Sequence, residues 1–146
     1  MRRAAAGDAG MTIHRRLIMA EINAVCREVI EKAEWAAIAT AGPDGPHVVG
    51  TWGDYIRTLG FSDDGVFLVP VGGMARLESN LASDARVELM WGTRAVTGVT
   101  GSGKGCLVRG RGEIQTTGDH IDKTRASFPW ARGVLVVTAD EVAELL

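Results

Sequence analysis

Val66–Asn80, VFLVPVGGMARLESN, runs an apolar strand into two adjacent glycines and then opens a polar helix with Arg76 in its first turn. Paired glycines let the backbone approach a ligand closely and take up dihedrals that other residues avoid. The N–H groups and positive dipole end of a helix start favour an anion such as phosphate, and Arg76 would add a charge-assisted contact. The same pattern also serves as a plain turn beside a solvated arginine. The rest of the chain has to decide between the two readings.

Upstream, Ile18, Ile22, Val25, Val29 and Ala33 recur at spacings of three and four with charged residues between them, which predicts one amphipathic helix over about 13–34. Ala36–Thr40 then reads as a short strand, and the turn chemistry of Ala41–Pro46 (AGPDGP) folds it back into a second strand, His47–Trp52. Gly65–Val71 is the third strand, followed by the helix that carries Arg76, to about Ser83. Arg86–Trp91 and Gly105–Gln115 supply the fourth and fifth, the latter with two glycines that suggest bending; Asp119–Phe128 is a second polar helix and Gly133–Ala139 (GVLVVTA) the sixth strand. Six strands with few long helices predict a mainly β protein: a small, strongly curved antiparallel sheet or barrel, with one N-terminal helix and two short helices.

The chain of 146 residues suffices for one domain with its own core, and 46% hydrophobic residues argue for a folded globule. Residues 1–12 read as a disordered lead with Met11 as a possible alternative start, and 13–146 as the single domain. A net charge of −2 with scattered lysines and arginines excludes a nucleic-acid or anionic-membrane face. No apolar run approaches a membrane span and no signal core is visible, so the expected location is the cytoplasm. Cys26 and Cys106 lack metal-ligand spacing and suggest neither a metal site nor a disulfide.

Gly98–Lys104, GVTGSGK, matches a P-loop in spacing but continues into Gly105, where magnesium binding needs a hydroxyl, and then into a strand where a P-loop enters a helix. It reads as a hairpin loop. The tryptophans are more informative: Trp52 (GTWGDY) and Trp130 (FPWARG) stand in polar, glycine- or proline-flanked settings where an indole can line a site, whereas Trp35 and Trp91 are assigned to the core. A phosphate cradle together with aromatic side chains on a curved sheet points to a phosphorylated planar cofactor, of which FMN is the commonest. His14, His47 and His120 are dispersed and read as structural or solvated, and no catalytic acid, base or nucleophile stands out.

GPHVVGTW, VPVGGMARLESN, the loop into GCLVRGRGE, and FPWAR resemble the FMN-binding split-barrel proteins related to pyridoxamine 5′-phosphate oxidase, most of all the small FMN-binding type of sulfate-reducing bacteria. The similarity runs from about Trp35 to Leu146. The resemblance implies a six-stranded split barrel that dimerises, with FMN near the dimer interface. It places Thr51 and Trp52 beside the flavin, with Val71, Gly72 and Gly73 holding the ring edge and ribityl chain through backbone groups. Arg76 takes the phosphate with help from Asn80, Trp130 covers part of the ring, and Leu146 reaches the partner subunit's flavin. Arg76–Leu77 stands where the small FMN proteins have lysine and threonine, so the charge is kept and a hydroxyl is lost. Additional basic residues for a phosphorylated substrate are not evident. Electron transfer or a small flavin-dependent oxidoreductase activity with an unknown redox partner is therefore expected, ahead of pyridoxamine phosphate oxidation or a non-catalytic module binding haem or a deazaflavin.

Overall fold

The structure, a computed structural model, describes residues 20–146. The expected disordered lead, the alternative start at Met11 and His14 lie outside the described residues. Helix α1 (Ala24–Lys32) precedes a hairpin of β1 (Trp35–Gly42) and β2 (Gly45–Trp52). Then come α2 (Gly53–Leu59), β3 (Val66–Val71), α3 (Ala75–Ser83), β4 (Arg86–Thr97), β5 (Ser102–Gln115), α4 (Asp119–Ser127) and β6 (Gly133–Leu145). The six strands form one antiparallel sheet in the order β2-β1-β4-β5-β6-β3, curled into a half-barrel consistent with a split barrel.

The two halves of the sheet are buried differently, and their sequences say so. β3 is closed to solvent over Phe67–Val71, and Gly133–Val137 of β6 likewise, because α2 and α4 lay Leu59 and Ile121 over Leu68, Val134 and Val136 on the side away from the main core. A strand covered on both faces reads as a continuous apolar run, hence VFLVPV and GVLVV. β1 and β4 alternate instead, with Ala36, Ile38, Leu89 and Trp91 turned into the main core beneath α1. Each large aliphatic side chain removed from water there contributes about 1.5–3 kcal/mol. The opposite face of this half, carrying Ala37, Ala39, Val48, Met90 and Leu107, has no element of the described chain over it.

Curvature comes from irregularities. Between Arg109 and Gly110 the β5–β6 register shifts, and a β-carbon at Gly110 would lie 2.1 Å from Thr138 O, so the bulge needs glycine. The hairpin of β1 and β2 closes through Gly45 at φ 101°, a left-handed conformation.

Several sequence-based expectations need correction. Helix α1 begins at Ala24, where Asn23 Oδ1 accepts from Cys26 N at 2.8 Å as an N-cap; 20–23 are not helical, and 13–19 lie outside the described residues. A further short helix, α2, follows β2 directly. It is anchored where Arg57 Nη1 donates to the carbonyls of Ala33 and Ile30 at 2.7 and 3.2 Å, serving the open C-terminus of α1. β4 and β6 run on to Thr97 and Leu145, and β5 starts at Ser102, so the glycine-rich hairpin loop is shorter than expected. Trp91 is in the core, but Trp35 is 48% exposed. The hairpin register explains why: Trp35 sits opposite Trp52, on the outward side of the sheet.

Candidate functional site

β2, α2, the end of β3 and the segment before β6 meet around a cavity of about 510 Å³. Its walls are Trp35, Trp52, Tyr55 and Trp130, and its floor includes Gly50, Thr51, Pro70, Gly72, Gly73 and Met74. The volume suits a small organic ligand. Trp130 is half-exposed yet fixed in place, because Tyr55 and Phe128 pack against it with ring centroids at 5.7 Å each and stand 4.9 Å from one another. Glycine shapes two points of the lining: a β-carbon at Gly50 would run 1.8 Å from the Trp35 ring, which would have to move, whereas one at Gly72 would meet the Trp130 ring tightly at 3.2 Å.

The turn after β3 leads directly into a helix start. Met74 takes φ 63°, left-handed and uncommon for a residue with a side chain, and α3 starts there without a side-chain cap. The first N–H groups of a helix have no partner inside it, so this end keeps donors and a positive dipole beside the cavity. Arg76 follows in the first turn, exposed and held by Asp44 Oδ2 at 2.9 Å. Asn80, one turn further, is 2% exposed; its Nδ2 donates to Thr40 Oγ1 at 3.1 Å, and its amide fills the space above Gly42. His47 stands opposite Thr40 on the same end of the hairpin, with Nε2 buried and without a partner among the described residues.

Of the residues singled out from the sequence, Thr51, Trp52, Gly72, Gly73 and Trp130 come together around one cavity. Val71 is fully buried at the end of β3, and Arg76 and Asn80 lie on α3 next to Met74. Leu146 is 74% exposed at the tip of the β4–β5 hairpin, where its carbonyl accepts from Val99 N, and it does not line the cavity of its own chain. Sequence reasoning passed over Trp35, Tyr55 and Met74. The parity of the hairpin would have found Trp35, while Tyr55 belongs to a helix too short to show a period.

Elsewhere, a hollow of about 660 Å³ lies between the end of α2, β3 and α4, lined by Asp64 and Asp119 together with His120 and Lys123. Cys26 and Cys106 are fully buried free thiols, Cys26 Sγ donating to Ala143 O at 3.9 Å, and burial raises the pKa of both. Among the described residues no cluster of side chains suits a metal ion, and no helix is long and apolar enough to cross a membrane.

With that geometry in place, comparison with known proteins is decisive for family. Residues 22–145 match the pyridoxamine 5′-phosphate oxidase family. The chain belongs to this family. Within the family's reach, it is 42% identical over 119 residues to an FMN-binding protein of Nitratidesulfovibrio vulgaris, covering 82% of this chain and 94% of the relative. Solved structures of the same fold include an FMN-binding protein from Syntrophomonas wolfei, with a TM-score of 0.64 at 14% identity over 100% of this chain and 98% of that one. HupZ of Group A Streptococcus gives a TM-score of 0.68 at 18% identity over 85% and 94%.

Proposed function

We propose that this member of the pyridoxamine 5′-phosphate oxidase family binds FMN and acts in electron transfer or as a small flavin-dependent oxidoreductase. The observation that carries the reading is the junction of an aromatic-walled cavity with an uncapped helix start at Gly72–Gly73–Met74. A flat ring system fits between indoles, and a phosphate fits the free donors of α3. Thr51, Trp52, Val71, Gly72, Gly73 and Trp130 would hold the ring and ribityl chain; Arg76, with Asn80 behind it, would hold the phosphate. Bound FMN supplies the redox chemistry, while the protein binds, orients and tunes it.

The uncovered outer face of β1, β2 and β4 supports a homodimer, with Val48 61% and Met90 47% exposed on a run of small apolar residues. In such a dimer Leu146, which does not line the cavity of its own chain, would serve the flavin of the other copy. Two free buried thiols suit a reducing compartment such as the cytoplasm. The first test is the visible spectrum of the purified protein and the mass of what it releases on denaturation. Released FMN is the expected outcome; a colourless protein that takes up no added FMN, or one releasing haem or a deazaflavin, would overturn the reading. Val48→Glu with Met90→Glu should convert the dimer to monomer in analytical ultracentrifugation.

A further inference from the structure

The turn that carries the two glycines is gripped from outside. Arg132 Nε donates to Gly72 O at 2.5 Å, Nη2 donates to Gly73 O at 2.6 Å, and Nη1 donates to Glu78 Oε1 at 3.0 Å. Its backbone N–H also donates to Val71 O at 2.9 Å. A guanidinium is a rigid planar fork, so three acceptors on its three nitrogens fix the turn relative to α3. Behind it, Arg125 of α4 donates from Nε to Ala131 O at 3.0 Å and from Nη2 to Arg132 O at 3.2 Å. Two arginines in series thus tie the segment bearing Trp130, the glycine turn and the first turn of α3 into one unit.

The consequence lies in the peptide planes. In a trans peptide the carbonyl and the following N–H point in opposite directions. Drawing Gly72 O and Gly73 O towards Arg132 therefore turns the N–H groups of Gly73 and Met74 away from it. The same grip keeps Gly72 against the Trp130 ring. We propose that Arg132 is a positioning residue for the flavin: it aims the donors of the glycine turn and holds Trp130 in place, with one N–H on each of its three side-chain nitrogens given to a protein acceptor. This rests on the flavin reading above.

The experiment titrates the apo forms of wild type, Arg132→Gln, Arg132→Lys and Arg76→Ala with FMN and with riboflavin, which lacks the phosphate. Arg132→Gln should weaken both ligands by the same factor, about five- to tenfold, the size of one ordinary hydrogen bond. Arg132→Lys should recover part of the loss, and Arg76→Ala should weaken FMN alone. Loss of FMN affinity alone in Arg132→Gln would overturn the proposal in favour of a direct phosphate contact, and no loss for either ligand would overturn it outright. Amide exchange in the cofactor-free protein is the second readout. Gly73 and Met74 should exchange faster in Arg132→Gln while β5 and β6 keep their protection, and unchanged exchange would remove the grip. Should wild type bind neither flavin, the flavin reading fails, and exchange still judges the grip by itself.

Discussion

Gly72–Gly73 and Gly98–Lys104 are two glycine-rich stretches, each followed by a cation, and the fold uses them in opposite ways. The first ends a strand and begins a helix without a side-chain cap, so the first N–H groups of α3 have no partner within the helix, and Arg76 follows in its first turn. The second joins β4 to β5, and its N–H groups are taken by carbonyls nearby: Gly98 N donates to Gly101 O at 2.7 Å and Val99 N donates to Leu146 O at 3.1 Å. Lys104 then turns into the sheet, 7% exposed, with Nζ 3.3 Å from Glu144 Oε1 and 3.2 Å from Leu146 O. What a glycine run can bind depends on the element that follows it. A helix start leaves donors open, whereas a strand pairs them.

That contrast can be broken at each cation. Lys104→Met should lower stability by about 1.5–3 kcal/mol, because Glu144 and Leu146 O lose a charge-assisted donor, and it should leave the FMN dissociation constant unchanged. Urea unfolding and a flavin titration on the same variant read the two halves of the claim. Arg76→Ala is the mirror image. Its pair with Asp44 is exposed, so stability should hardly move. FMN affinity should fall about ten- to hundredfold, the equivalent of roughly 1.5–3 kcal/mol for a charge-assisted bond. A lysine variant that loses FMN, or an arginine variant that loses stability but keeps FMN, would reverse the assignment of roles.

The same contrast shows what was legible beforehand. GVTGSGK could be set aside because the residues after Lys104 are strand-like, and VPVGGMARLESN could be retained because a polar helix follows; both judgements need only neighbouring sequence. The β1–β2 hairpin was equally local, since AGPDGP fixes a turn between two strand-like runs. Helix α2 was hidden because GDYIRTL is too short for a period and is held by Arg57 reaching the end of α1. The far ends of β4 and β6 are drawn out by pairing with β5, a non-local effect that outweighs weak local propensity. Trp35 shows a third kind of miss. Its setting is apolar, but its register opposite Trp52 puts it at the cavity wall, and pairing decides that where hydrophobicity does not.

Smaller effects sharpen the picture of the first glycine turn. Trp130→Ala removes the indole braced by Tyr55 and Phe128, and should weaken FMN and riboflavin alike by about three- to tenfold, the range for one aromatic contact. Quenching of tryptophan fluorescence on flavin addition should shrink in the same variant. The least perturbing change is Asp44→Asn. Asp44 is the carboxylate that holds Arg76, and both side chains are largely solvated, so their pair is worth about 0–1 kcal/mol. A phosphate arriving at α3 must compete with that carboxylate for the guanidinium, and the two anions would also repel each other. Removing the charge of Asp44 while keeping the shape of its side chain should therefore tighten FMN by up to about fivefold at low ionic strength, with the gain fading as salt is added and riboflavin affinity unmoved. A weaker FMN complex in Asp44→Asn would mean that Asp44 orients Arg76 for the phosphate instead of competing with it, and the exposed ion pair would become part of the cradle.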